Sequence, residues 1–228
     1  MTDSTHAALG PGDAAPDFEF PAADVEGTVS LAEYRRRGPV LLTTLRGRYC
    51  PFCRRHVSQL RPTCGALRDA GIALLGVVIA SPERARQYFR YFPPCFPIAV
   101  APDRATHRAY GLPEVVRTPE MRQSAEGRAV EILRELGLEA APGQAALVFS
   151  KSDGFEMTVA DQAEWQRPLQ AVGHFLIRAR WSDPLGPGRD LAYSATASGR
   201  VALAGLMPNT ERIAKLVGTF FSALHVME

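Results

Sequence analysis

Apolar runs and helical stripes alternate along the chain. Val40–Leu45 (VLLTTL) is short and apolar with β-branched residues, the pattern of a buried strand. Ile72–Ala80 (IALLGVVIA) predicts a second buried strand, Pro97–Val100 a third, and Pro16–Phe20 an edge strand. Between the first two lies a helical stripe, Cys53, Val57, Leu60, Cys64 and Leu67, spaced by 4, 3, 4 and 3. Pro51 suits the first position of that helix, because its missing N–H would be unpaired there anyway. Pro62 should kink the helix and Gly71 should end it. Ser30 to Glu33 matches a capping box, predicting a short helix to about Arg36. Ser81-Pro82-Glu83 opens a helix to about Phe92, and Ala105–Tyr110 is a short one closed by Gly111. The order β-α-β-α-β with short connections implies a partly parallel sheet covered by helices.

The pattern changes from Leu112 to Arg167. Thr118-Pro119 starts a helix with the stripe Met121, Ala125, Ala129, Ile132, Leu133 and Leu136, stopped by Gly137. Ala145–Ser150 and Phe155–Val159, on either side of Asp153-Gly154, predict a hairpin. Phe175–Trp181 is a further strand. Leu191–Ala195 and Val201–Leu206 should pair through Ser198-Gly199, and a last amphipathic helix starts at Asn209. The longest apolar run has ten residues, about half of the ~20 that span a bilayer, so no membrane segment is expected. Met1–Ala14 lacks the pattern of a signal peptide, which points to the cytoplasm. A net charge of +2 gives no reason to expect nucleic-acid binding. Four cysteines in 228 residues are too few for a disulfide scaffold, which turns attention to their placing.

Cys50-Pro51-Phe52-Cys53 sits where an apolar strand hands over to a helix. Cys50 falls at the helix N-cap, beside unpaired N–H groups and the positive end of the dipole, and both favour thiolate over thiol. Arg46, Arg48, Arg54 and Arg55 lie close in sequence, with no carboxylate between residues 34 and 68, and should lower the Cys50 pKa further. Cys53 lies one helical turn on, along the apolar stripe. An exposed nucleophilic thiolate with a shielded second thiol is what disulfide exchange needs: Cys50 attacks and Cys53 resolves.

These stretches resemble the peroxiredoxin-like proteins of the alkyl hydroperoxide reductase and thiol-specific antioxidant (AhpC/TSA) group, in the thioredoxin-fold superfamily. The resemblance is carried by Gly12–Phe18, Ser30-Leu31, Arg46–Cys53, Ile72–Ser81, Phe96-Pro97 with Asp103, and Ala109-Tyr110-Gly111. Together they cover about residues 12–112, and Phe175-Leu176-Ile177 resembles the late core strand. The resemblance implies a thioredoxin-like α/β fold with a central mixed β-sheet flanked by helices. The whole of 1–228 would be one domain, its core about 12–112 and 169–228, with an inserted helix-plus-hairpin segment at about 113–168. It implies a peroxide or disulfide as substrate and no cofactor or metal. An external thiol reductant such as thioredoxin, glutaredoxin or glutathione would supply the electrons, and a homodimer is allowed. The departures are specific. Gly47 stands where the family has a threonine and Thr43 where it has a proline; Val172-Gly173-His174 lacks the usual arginine. Pro168 lies several residues too early for the family's cis-proline, leaving Gly173-His174 to face the cysteines. Cys-Pro-Phe-Cys itself is more similar to glutaredoxin and to peroxiredoxin-like proteins with Arg-Gly-x-Trp-Cys-Pro-Tyr-Cys.

The site expected from these arguments is Cys50 and Cys53, supported by Arg46, Gly47, Arg48, Pro51, Arg54 and His174, the last as a proton shuttle. Cys64 reads as a small buried core residue and Cys95 as an inert loop thiol. His56, His107 and His225 read as surface or satisfied histidines. Two other readings stay open. Cys50, Cys53, His56 and Cys95 could supply four zinc ligands. Alternatively, the pair could be a non-catalytic redox sensor whose oxidation changes partner binding through 113–168.

Overall fold

Val40–Leu45 stands in the middle of the main sheet, in a computed structural model that describes Leu9, residues 13–177 and the backbone of 193–195. In chain order the elements begin with β1 (Glu19–Pro21), β2 (Thr28–Ser30), α1 (Leu31–Arg37) and β3 (Val40–Leu45). Next come α2 (Pro51–Gln59), α3 (Arg61–Asp69), β4 (Ala73–Val78), α4 (Pro82–Tyr91), β5 (Ile98–Val100) and α5 (Ala105–Ala109). Then follow β6 (Glu114–Val115), α6 (Pro119–Glu135), α7 (Ala145–Lys151), α8 (Val159–Gln166), β7 (Leu169–Gln170), β8 (His174–Ile177) and β9 (Tyr193–Ala195).

The sheet order is β5-β4-β3-β8-β9. β3, β4 and β5 are parallel, with Leu42 beside Leu75. β8 runs antiparallel to β3, with Leu42 beside Phe175, and β9 runs antiparallel to β8. This is the mixed α/β architecture expected. β3 is buried at all six positions, which explains its unbroken apolar run. Leu41, Leu45 and Leu176 face α2–α4, together with Cys50 and Cys53. Val40, Leu42, Phe175 and Ile177 face the other way, against Phe18, Leu31 and Tyr110. The stripe from Cys53 to Leu67 divides at Leu60 into α2 and α3, with Pro62 in the first turn of the second.

Several expectations are corrected. The hairpin at 145–159 does not form. Ala145–Lys151 is a helix, burying Ala145 and Phe149 at i and i+4 against Ala129, Ile132 and Leu133 of α6. Glu126 accepts from the amides of Ala145 and Ala146 at 2.7 and 2.9 Å, satisfying the start of α7. A short apolar run fits a strand or a buried helix equally, and here packing on α6 decides. The second half of the expected hairpin is loop up to Thr158, which caps α8 through a capping box with Asp161. Ser30 is the N-cap of α1, but its side chain makes no capping bond; the Leu31 amide donates to the Phe18 carbonyl instead. Of the two alternatives for His56 and His107, surface or satisfied, the surface one is excluded, because both are buried. The strand from Phe175 is described as far as Ile177. The expected strand at Val201–Leu206, the helix from Asn209 and His225 lie outside the described residues.

Cys64 and Cys95 are not separate structural thiols: they form a disulfide joining α3 to the loop before β5. Nothing local predicts this, because the two are 31 residues apart and meet only when α3 and that loop pack over β4. The bond removes Cys95 as a zinc ligand. Cys64→Ser is expected to cost about 3–4 kcal/mol by the loop-entropy argument for this separation, read from urea unfolding with and without reductant. Equal stability of the variant and the oxidised wild type would contradict that role. No helix among the described residues is long and apolar enough to cross a membrane.

Candidate active site

The end of β3 sets the site. A tight turn follows it, with the Cys50 amide donating to the Gly47 carbonyl at 3.1 Å. Cys50 then takes extended backbone angles (φ −84°, ψ 108°) as N-cap of α2, with Pro51 in the first turn. Its carbonyl accepts the first helical bond, from the Arg54 amide, and its sulfur accepts from the Cys53 amide at 3.4 Å. The cap the sequence predicted is therefore made by sulfur.

Both thiols are free and buried. Cys50 is pushed down to about 5, chiefly because the Cys53 thiol donates to its sulfur. Burial opposes this, while the Arg46 charge, the Cys53 amide and the Arg46 hydrogen bond reinforce it. Cys53 moves the opposite way, well above the ordinary thiol range, because its proton serves Cys50 and because it is buried. One thiolate shared between two sulfurs, resting on the N-terminal one, is the arrangement a nucleophile and a waiting resolver require.

Of the four nearby arginines, Arg46 is the one whose side chain reaches that sulfur. Its Nη1 lies 3.8 Å from Cys50 Sγ, and its Nε donates to the Gln170 carbonyl at 2.8 Å. Burial would lower Arg46, but the facing Cys50 and Cys53 charges outweigh it and raise its pKa. The expected support from Arg48 and Arg54 is corrected: both are tied to acids in the 113–168 segment. Arg48 pairs with Asp161 at 3.1 Å, and Arg54 with Asp153 at 2.6 Å while donating to the Ser150 carbonyl. Both guanidinium groups lie over the Phe155 ring. Arg55 reaches Glu135 at 2.5 Å. Arg46→Gln is therefore expected to move the midpoint of Cys50 alkylation upward from near pH 5, while Arg55→Gln leaves it in place. Iodoacetamide kinetics against pH read this. The sign follows from charge: removing a cation beside a thiolate favours the thiol.

Gly47 has a steric reason. A Cβ there would stand 2.8 Å from the Tyr49 ring and 3.0 Å from the Ile79 carbonyl. The Tyr49 ring thus covers Gly47, leaving no room for a threonine side chain. Tyr49 is buried, and its hydroxyl has no hydrogen-bond partner among the described residues. Burial first, then the neighbouring thiolate, holds it above the ordinary phenol range, so it stays protonated. The sequence argument overlooked this donor beside Cys50.

His174 is buried on the Cys50 face of β8, with its ring 5.3 Å from that of His56. Burial pulls His56 down to about 4 and His174 well below its ordinary value, so both are neutral at physiological pH. A neutral His174 can accept a proton but adds no positive charge for a thiolate. Gly173, expected to face the cysteines, exchanges hydrogen bonds with Thr44. No cis peptide bond occurs among the described residues. No cluster of three or more metal-ligating side chains occurs among them either.

Above Cys50 opens a cavity of about 1070 Å³. Cys50, Pro51, Phe52 and Arg46 line it from below, and α6, α7 and the α8–β7 connection enclose it. The segment that forms this roof is pinned at its base by β6 pairing with β7. Phe52, between the two cysteines, packs on Phe149 of α7 at 5.2 Å.

Residues 11–131, more than half of the chain, match the AhpC/TSA family. The chain belongs to the AhpC/TSA family. "Putative peroxiredoxin Rv2521" of Mycobacterium tuberculosis is 33% identical over 111 residues, covering 49% of this chain and 68% of that protein. Among solved structures, peroxidoxin BcpB of Mycobacterium tuberculosis superposes with a TM-score of 0.53 at 11% identity, over 94% of this chain and 97% of that one. The reduced 2-Cys peroxiredoxin of Plasmodium vivax does so with a TM-score of 0.50 at 11% identity, over 94% and 99%. At such identities the two structures establish the thioredoxin-like fold. The AhpC/TSA match and the curated relative make this chain a peroxiredoxin-like oxidoreductase.

Proposed function

We propose that this AhpC/TSA protein reduces peroxides through Cys50 and regenerates itself through Cys53. One arrangement carries the reading: Cys50 is the N-cap of α2, its sulfur accepting from the Cys53 amide and lying 3.8 Å from Arg46, on the lining of a cavity. The Cys50 thiolate attacks the outer peroxide oxygen, the O–O bond breaks, and the remaining oxygen leaves as an alcohol or water after taking a proton. Arg46, whose Nη1 lies 3.8 Å from the sulfur, and the protonated Tyr49 on the same cavity lining are the donors proposed for that oxygen. Cys50 is now a sulfenic acid. The Cys53 sulfur attacks it, releasing water and forming the Cys50–Cys53 disulfide. An external thiol, such as thioredoxin, glutaredoxin or glutathione, returns the two electrons.

Gly47 favours a second reading, disulfide reduction, because it removes the family's threonine from beside the peroxide. Here Cys50 attacks a disulfide, one sulfur leaves as thiolate, and Cys53 resolves the mixed disulfide. Stopped-flow oxidation of the reduced protein separates the two. With hydrogen peroxide, wild type should react much faster than free cysteine, and Cys50→Ser should not. A wild-type rate no faster than free cysteine rejects the peroxidase reading, and fast reaction with hydroxyethyl disulfide then establishes the second. Turnover with a recycling thiol system would argue against a non-catalytic sensor. The homodimer allowed by the resemblance is checked by sedimentation.

A further inference from the structure

The cavity over Cys50 is much larger than hydrogen peroxide requires, and at about 1070 Å³ it reaches the upper end for drug-sized ligands. Its walls carry two kinds of group. Val116, Met121, Leu147 and Trp165 all line it and are large apolar side chains left partly open to solvent. Its lining is rich in cations: the only carboxylate among the lining residues is Glu126, already committed to the α7 amides, whereas five are arginines, of which Arg128 and Arg167 are paired with carboxylates outside the lining.

Arg117 is the notable one. Its guanidinium lies 4.6 Å over the Trp165 ring, and Nη1 donates to the Arg167 carbonyl at 2.9 Å. Nη2 is buried and has no hydrogen-bond partner, and no carboxylate pairs with Arg117 among the described residues. Arg117 lines the cavity with its guanidinium placed between an aromatic face and a carbonyl and with no carboxylate of its own, so turning the spare Nη2 to an incoming anion would satisfy it. Desolvation is its largest perturbation, which a ligand carboxylate would offset.

We propose that this cavity takes a bulky, largely apolar substrate bearing a carboxylate, and that Arg117 holds the carboxylate while the reactive bond lies over Cys50. This rests on the redox role of Cys50 and adds the substrate class. Two sources share that chemistry: a carboxylate-bearing hydroperoxide and the disulfide of a carboxylate-bearing thiol.

The test begins with binding alone. By calorimetry, octanoate should bind the reduced wild type about tenfold or more tightly than the neutral octanamide. Arg117→Gln should remove the difference, and Arg117→Lys should keep part of it. Equal affinities in the wild type, or a preference that survives Arg117→Gln, overturn the proposal; the wild-type comparison stands even if the variant does not fold. The second part is rate. Reduced protein is mixed with a fatty-acid hydroperoxide or with 3,3′-dithiodipropionate, each against its methyl ester. A carboxylate preference in one arm identifies the source. Octanoate preference with no oxidation in either arm contradicts the redox reading while supporting the Arg117 site.

Discussion

Cys50→Ser should reduce turnover of peroxide or disulfide by at least about 10³-fold, with the fold intact. Serine can occupy the same N-cap and accept the Cys53 amide, so the local structure survives while the oxidisable nucleophile is lost. Cys53→Ser should behave differently. A single encounter with oxidant still proceeds, but Cys50 is then trapped as a sulfenic acid or a mixed disulfide, and steady-state rate falls. Cys53→Ala, which unlike serine leaves no side-chain donor, removes the hydrogen bond that is the largest cause of the low Cys50 pKa, so the alkylation midpoint of Cys50 should rise from near pH 5. A Cys53→Ser protein with wild-type turnover would show that Cys53 does not resolve.

Asp161→Ala carries the largest expected loss of stability, about 3–5 kcal/mol. Asp161 is almost wholly buried and holds Arg48 at 3.1 Å and Arg84 at 2.6 Å. It also accepts from the Thr158 amide, closing the capping box of α8. Removing it strands the buried Arg48 guanidinium, opens the cap and loosens the helix that carries Trp165 of the cavity wall. Asp161→Asn keeps oxygen and shape and should lose less. Urea unfolding measures both; a loss below about 1 kcal/mol for alanine would mean that the pair is effectively solvated.

The legible parts of this chain are those decided locally. β3 and β4 announce themselves because strands covered on both faces are apolar throughout. The α2 start is readable because Cys50-Pro51 is an N-cap followed by a first-turn proline. What escaped was decided by partners far away in sequence. Arg48 and Arg54 sit beside Cys50 in the chain, but their charges are taken by Asp161 and Asp153, about a hundred residues on. Arg46 faces the thiolate because the Gln170 carbonyl holds it there. His56 lies in a polar stretch of α2, yet turns inward onto His174. Gly47 looked like a defect against the family pattern, whereas the Tyr49 ring already fills the space. The 113–168 segment reads in the sequence as an insertion through which a redox sensor would bind partners; in the structure it roofs the candidate site.

The most direct test of the central claim is peptide-level mass spectrometry of the reduced protein after one equivalent of oxidant. The account predicts that the protein becomes two hydrogens lighter and that the new bond maps to Cys50–Cys53, with Cys64–Cys95 already joined beforehand. A new bond elsewhere, or Cys50 oxidised with Cys53 still a free thiol, would contradict it.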